Sequence, residues 1–305
     1  MVSSQLANRE SMIFTLLAGN LAHGLLLGGV YGMATMGLSL IFGVINVVNV
    51  GHGQFIMVGA FITLTMFTAL GLSPVVSIPV ALILGMALGF FFFYTVMRRL
   101  IRAPELTTLL ATFAIGILLE EIAKLIFGAD FRGYNWGVGK ITLPITTIPM
   151  SKVYAFIGSI VIALFLYFWF SKTRLGTAIR AVIEDNEGAK VCGVNVGWIY
   201  ALSFAIGIGL TVMSGVLLTM FIPVGINPYM GGVYTLKAFV IAVLGGLTSP
   251  YGAFFAGLIF GLIENGAYTL FALIPGVAPF PLTISLAFWM LFFLLLVKPT
   301  GILGK

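Results

Sequence analysis

Charged side chains inside otherwise apolar runs are the first places in this sequence where chemistry is possible. Glu120 and Lys124 stand four residues apart in one run, Lys237 opens a second, and Glu264 lies near the middle of a third. Insertion scales put a Lys or Asp at the centre of a membrane helix at roughly 2.5 to 3.5 kcal/mol unfavourable, so each such residue needs a partner or a task. The spacing of Glu120 and Lys124 makes a local ion pair their simplest account, with Glu121 facing elsewhere. Lys237 and Glu264 are expected to pair across adjacent helices, in a packing, subunit-contact or substrate role.

Two further groups carry polarity. Asn46, Asn49, His52 and Gln54 gather in NVVNVGHGQF, and Gly245 and Gly246 end the short apolar run TLKAFVIAVLGGL. Both places read as breaks in membrane helices, where polar side chains can satisfy the backbone groups that the break frees. The third group is SKTRLGTAIRAVIEDNEGAKVCGVNVG, from 171 to 197. Between Thr177 and Cys192 the pattern gives one short helix with a charged surface, bounded or bent by Gly188 and Gly193, which suits a solvated connector or a docking helix.

Motifs for soluble chemistry are missing. The only Gly-Lys pairs are Gly139-Lys140, followed by Ile141, and Gly304-Lys305, so the phosphate-binding GxxxxGK[ST] loop is absent. There is no HExxH and no nucleophile elbow, His23 and His52 are too isolated to suggest a metal, and the lone Cys192 has no internal disulfide partner. The sequence is therefore not read as an enzyme, and it needs no cofactor of its own.

The elements that must position these residues follow from composition. Only 8% of the 305 residues are charged and 60% are apolar or aromatic, against roughly 25% charged in a soluble domain. That excludes a soluble enzyme, a disordered tail and a nucleic-acid-binding domain. The apolar runs predict an all-α, polytopic membrane protein of about ten spans, near 12–31, 32–48, 52–72, 75–97, 105–128, 152–171, 197–221, 235–247, 252–273 and 281–297. The eighth is short enough for a half-helix, since a full span needs about 20 residues. A single transmembrane domain over 1–305 is expected, with an uncleaved N-terminus.

Orientation is read from basic residues, which favour the cytoplasmic side. With both termini inside, ten of the fifteen, namely Arg9, Arg98, Arg99, Arg102, Lys172, Arg174, Arg180, Lys190, Lys298 and Lys305, fall in interior segments. This explains the net charge of +6 without a nucleic acid. The loop from about 129 to 151 is then external, where Tyr134 and Trp136 serve as interfacial aromatics or as a docking point for a soluble partner. Four-residue ladders of small residues (Gly24, Gly28 and Gly32; Gly85 and Gly89; Gly257 and Gly261) mark close helix contacts.

Four strings together resemble the permease subunits of branched-chain amino-acid ABC importers, in their smaller, H-type form. They are GLSLIFGVINVVNVGHGQFIMVGAF at 37–61, TRLGTAIRAVIEDNEGAKVCGVNV at 173–196, LKAFVIAVLGGLTSPYGAFFAGLIFGLIEN at 236–265 and the closing KPTGILGK. They occur in the family's order over nearly the whole chain. The family usually carries Phe-Ala where this chain has Val50-Gly51, and often Glu at the place of Gln54. The resemblance implies a bacterial-type cytoplasmic (inner) membrane, a second permease subunit, two cytoplasmic ATPase subunits that bind the ATP, and a periplasmic or surface-anchored binding protein. It also implies that the 171–197 loop is the ATPase coupling segment, with Arg174, Gly176, Arg180, Glu184, Asp185, Ala189 and Gly193 as its candidate residues. On the same footing Asn46, Asn49, His52, Gln54, Gly245 and Gly246 are candidates for the translocation path, with satisfaction of freed backbone groups as their plainer role. The alternative from a different class is an ion-coupled secondary transporter, in which Glu264 or Glu120 would titrate.

Overall fold

The computed structural model describes residues 2–143, 146–276 and 278–297. Lys298, Lys305 and the rest of KPTGILGK lie outside the described residues. The helices are α1 (Val2–Ile45), α2 (His52–Leu70), α3 (Pro74–Leu100, with a π-helical turn at Phe93–Met97), α4 (Glu105–Phe127) and α5 (Met150–Lys172). Two short helices follow, α6 (Arg174–Glu184) and α7 (Asn186–Val191), then α8 (Val196–Phe221), α9 (Met230–Gly245), α10 (Pro250–Ala272) and α11 (Pro279–Val297). The architecture is all-α, as the apolar runs predict. Among the described residues, six helices are long and apolar enough to cross a membrane: α1 from Thr15, α2, α3, α5, α8 and α10.

The expected first and second spans, 12–31 and 32–48, are one helix. Their glycine-rich boundary does not break the chain. Gly28 and Gly32 face α10, Gly29 faces α5, and Gly37 faces α8, and an unpaired backbone group at membrane depth would cost several kcal/mol. Arg9, expected in an interior loop, belongs to this helix. A single α1 also reverses the expected placement of the N-terminal end. Ile45 shares a cleft with Arg98, Arg99, Arg102 and Asn186, whereas Gly29 meets Phe156 and Ser159 near the start of α5. The N-terminal end of α1 therefore lies at the opposite end of the molecule from the basic cluster.

Packing at glycine sets the interior. A Cβ added at Gly24 would stand 2.5 Å from the Gly261 carbonyl oxygen, and one at Gly257 would stand 2.3 Å from Gly32 Cα. Such distances mean that α1 and α10 run antiparallel with their backbones in contact. Helix α8 is buried over nearly its whole length, enclosed by α1, α2, α3 and α5. Gly37 approaches Gly207, Gly59 approaches Val212 and Gly215, and Gly85 approaches Gly209, so α8 is joined to three neighbours by the same device.

The loop expected outside is tied down by packing. Strand β1 (Arg132–Gly133) pairs antiparallel with β4 (Val224–Ile226), and β2 (Lys140–Thr142) pairs with β3 (Thr147–Pro149). Tyr134 is buried rather than interfacial: its hydroxyl donates to Thr219 Oγ1 at 2.9 Å and its ring sits 4.7 Å from that of Phe67. Loss of hydration pushes this hydroxyl up to about 12.

Replacing Gly257 by Val forces a side chain into the α1 backbone, whereas Gly232 has open space around its Cα. Overpacking of this kind costs about 1 to 3 kcal/mol, occasionally more. Thermal unfolding in detergent should therefore show a clear loss for Gly257→Val and little change for Gly232→Ala; equal midpoints for the two would contradict the packing described.

Candidate functional site

At the basic end of the molecule the chain leaves α5 and turns back on itself. Thr173 caps α6, its Oγ1 accepting from the Gly176 N–H at 3.0 Å. Gly176 must be small because a Cβ there would stand 2.4 Å from the Phe170 carbonyl oxygen. The single helix expected between 177 and 192 is instead two. Asp185 is extended (φ −151°, ψ 103°) and caps α7, its Oδ1 accepting from the Glu187 N–H at 3.0 Å. The capping preference of Asp outweighs continuation of the helix at this point. Gly193, at φ 83°, ends α7.

These two helices form a bent platform. Gly176, Ile179, Val182 and Ala189 are buried towards the membrane helices, while Arg174, Arg180, Glu184, Asp185 and Gly193 are exposed. Two apolar residues, Leu175 and Val191, are exposed beside them at 43% and 89%. The Lys190–Glu187 ion pair at 2.5 Å is on the surface and adds little stability. Asn186 Nδ2 donates to the Tyr200 hydroxyl at 2.7 Å, which fastens the platform to α8. Of the candidate residues here, Gly176 and Ala189 fix the platform, and the charged ones present themselves to solvent.

The break between α1 and α2 is real and tightly closed. Asn46 is exposed in the left-handed region at φ 57°. His52 is fully buried, with Nε2 3.2 Å from the Ala34 carbonyl oxygen and Nδ1 3.4 Å from Thr211 Oγ1, so it links α1 to α8. Thr112 of α4 accepts from the Val50 N–H and donates to the Val48 carbonyl, both at 3.1 Å. The Gly53 N–H donates to Thr235 Oγ1 at 2.8 Å, which brings the start of α2 onto the start of α9. Gln54 lies between Gly116 and Gly231. Asn49 Nδ2 and Gln54 Oε1 are buried without a hydrogen-bonding partner among the described residues. Gly245 and Gly246 are not part of this cluster. Gly245 packs on Gly252, and Gly246, at φ 90°, makes the turn from α9 into α10.

The intramembrane charges form two groups. Lys237 Nζ lies 2.5 Å from Glu264 Oε1, joining α9 to α10 as expected. It also donates to the Tyr31 hydroxyl at 2.9 Å and lies over the Tyr31 and Tyr234 rings, 4.9 and 5.5 Å from their centroids. The sequence pattern does not reveal this aromatic enclosure, since Tyr31 sits inside an apolar, glycine-rich run. The group borders a cavity of about 520 Å³ lined otherwise by residues such as Leu27, Met230, Phe280 and Ile284. In α4, Lys124 pairs more closely with Glu121 than with Glu120, which is 3.7 Å away. The expected i, i+4 partner is thus secondary, and Glu121 does have a partner, Lys124, about one turn further along the same face.

Comparison with known proteins places this architecture. A family model described as the permease component of the branched-chain amino acid transport system matches residues 20–297. The chain is 30% identical over 302 residues to the high-affinity branched-chain amino acid transport system permease protein LivH of Escherichia coli K12, covering 93% of this chain and 94% of that one. It is 29% identical over 299 residues to the corresponding permease protein BraD of Pseudomonas aeruginosa, covering 93% and 95%. Among solved structures, PsaBC from Streptococcus pneumoniae in complex with Fab aligns over 98% of this chain and 97% of that chain, with a TM-score of 0.52 and 16% identity. That last likeness concerns the fold.

Breaking the Lys237–Glu264 pair from one side leaves a charge buried, which typically costs 3 to 5 kcal/mol. Glu264→Gln and Lys237→Met should each lower the unfolding midpoint strongly, and the double variant should be less damaged than their sum. Strictly additive losses would show that the two side chains act independently.

Proposed function

The chain belongs to the branched-chain amino acid transport permease family, transporter subunits rather than enzymes, and on that premise we propose that it forms the translocation path of an ATP-driven importer. Its cargo in this reading is a branched-chain or related amino acid, as the names of LivH and BraD state for those proteins. It works beside a second permease subunit, in a heterodimer, within a bacterial-type cytoplasmic membrane. The basic end, with Arg98, Arg99, Arg102, Lys172 and Arg174, faces the cytoplasm. A binding protein delivers the amino acid at the opposite end.

One observation carries this reading: the exposed α6–α7 platform is held against two membrane helices. Gly176 seats it on the last turn of α5, and Asn186 fastens it to Tyr200 of α8. Two ATPase subunits, which supply the ATP site that this chain does not encode, dock on the platforms of the permease pair. When the ATPases close on ATP they move the platforms, and α8 passes that displacement to α1, α2 and α3, against which it is packed. Differential contact in the two states is what lets ATP shift the permease between outward-open and inward-open forms. The facing starts of α2 and α9, joined at Gly53 and Thr235, are the break such a shift would rearrange.

Charge reversal on the platform tests this directly. Glu184→Arg together with Arg180→Glu leaves the buried face and both caps intact, and it should weaken ATPase co-purification about tenfold or more, a difference of about 1.4 kcal/mol. Asp185→Asn keeps a capping side chain and should retain the α7 fold. Normal ATPase retention and normal transport-linked ATP hydrolysis in the reversed variant would reject the platform as the docking point.

A further inference from the structure

The end of α3 carries three arginines, Arg98, Arg99 and Arg102, and among the described residues none of them forms an ion pair with a carboxylate. They open into a cleft of about 870 Å³ whose opposite wall is α7 and the start of α8, with Lys190, Asn195 and Trp198. The one acid lining it, Glu187, is engaged by Lys190 at 2.5 Å. Four cations thus share one concavity with a single carboxylate. Like charges so placed repel one another, and a bound anion offsets that repulsion.

The surroundings narrow the kind of anion. Tyr94 and Trp198, both close to half exposed, stand on the two walls. Arg98 lies over the Tyr94 ring at 5.9 Å, and Trp198 stacks on Phe90 at 5.8 Å. Aromatic rings beside cationic ends mark the boundary between membrane and water. Phe91, almost one turn further into the membrane span of α3, is 58% exposed, so the apolar outer face of this helix continues directly from the cleft. A ligand with a phosphate at one end and hydrocarbon at the other fits both halves, and the arginine fork matches phosphate oxygens in pairs.

We propose that this cleft holds the phosphate of an anionic phospholipid from the leaflet on the basic side of the membrane, with its acyl chains lying along the Phe91 and Tyr94 face of α3. Arg98, Arg99 and Arg102 take the phosphate from one wall, and Lys190 faces it from the other. Because Lys190 belongs to α7, an occupied cleft braces the α6–α7 platform against α3. The site depends on neither the cargo nor the energy source of transport.

The test extracts the full chain from mixed phosphatidylcholine and phosphatidylglycerol membranes and counts retained lipid by native mass spectrometry. Each basic residue near an anionic surface favours binding by about fivefold. Phosphatidylglycerol should therefore be retained about tenfold or more over phosphatidylcholine, and Arg98→Gln/Arg102→Gln should remove that preference while the thermal midpoint stays the same. Lys140→Gln, in the loop at the other end, should leave the preference intact. Excess inorganic phosphate should not displace the lipid; displacement would make this a soluble-anion site and overturn the proposal. Equal retention of the two lipids, or a preference that survives the double substitution, would overturn it as well. So would a double variant that sheds the ATPase subunits yet keeps its lipid, because the arginines would then belong to a subunit contact.

Discussion

Backbone contact between helices, made possible by glycine, is the interaction from which the rest of this molecule follows. In hydrocarbon an apolar side chain gains little by leaving lipid for protein, so helices associate through close packing instead. Gly24, Gly28 and Gly32 bring α1 against α10, while Gly37, Gly59 and Gly85 bring three helices onto α8. The result is a hub in which α8 is almost wholly enclosed. Only around such a hub is it possible to interrupt helices at membrane depth, because the freed backbone groups find protein partners. The break at 46–51 uses Thr112 and lies against the start of α9 through Gly53 and Thr235.

The same close packing reaches the basic end. There the platform is seated on Phe170 of α5 through Gly176 and hydrogen-bonded to Tyr200 of α8 through Asn186. Helix α4 packs chiefly on α2, and α11 on α9 and α10, so these two are held by fewer neighbours than the hub helices. The Lys237–Glu264 pair sits between the two regimes. It joins the short α9 to α10 beside a cavity that α11 partly walls. The cost of taking two charges out of water offsets much of what such a pair gains from its attraction.

Much of this was legible in the residues. The charge deficit requires membrane helices, the short run at 235–247 appears as the 16-residue α9, and the partnership of Lys237 with Glu264 follows from the cost of leaving either alone. What was not legible depends on neighbours distant in sequence. Glycines at 28–37 mark a break or a contact equally well, and only the presence of α10, α5 and α8 decides for one continuous α1. That also reversed the side of the N-terminal end. The division of the 177–192 helix rests on Asp185 capping α7, a local competition that the charge pattern conceals. Within α4 the i, i+4 spacing pointed Lys124 to Glu120, whereas Glu121 at i, i+3, read as facing elsewhere, is the nearer partner. Tyr234 lies one turn before Lys237, but Tyr31, the other wall of its enclosure, is 206 residues away and leaves no trace in spacing.

Under the proposed function, ATP hydrolysed on other subunits drives transport through this chain. The most direct measurement is uptake of radiolabelled leucine into proteoliposomes holding this permease with its second permease, ATPase and binding-protein partners, alongside vesicles holding this chain alone. ATP inside the assay compartment of the ATPases should drive accumulation by the complete assembly with no ion gradient imposed, and the chain alone should accumulate nothing. Accumulation by the isolated chain that follows a proton or sodium gradient and ignores ATP would contradict the account.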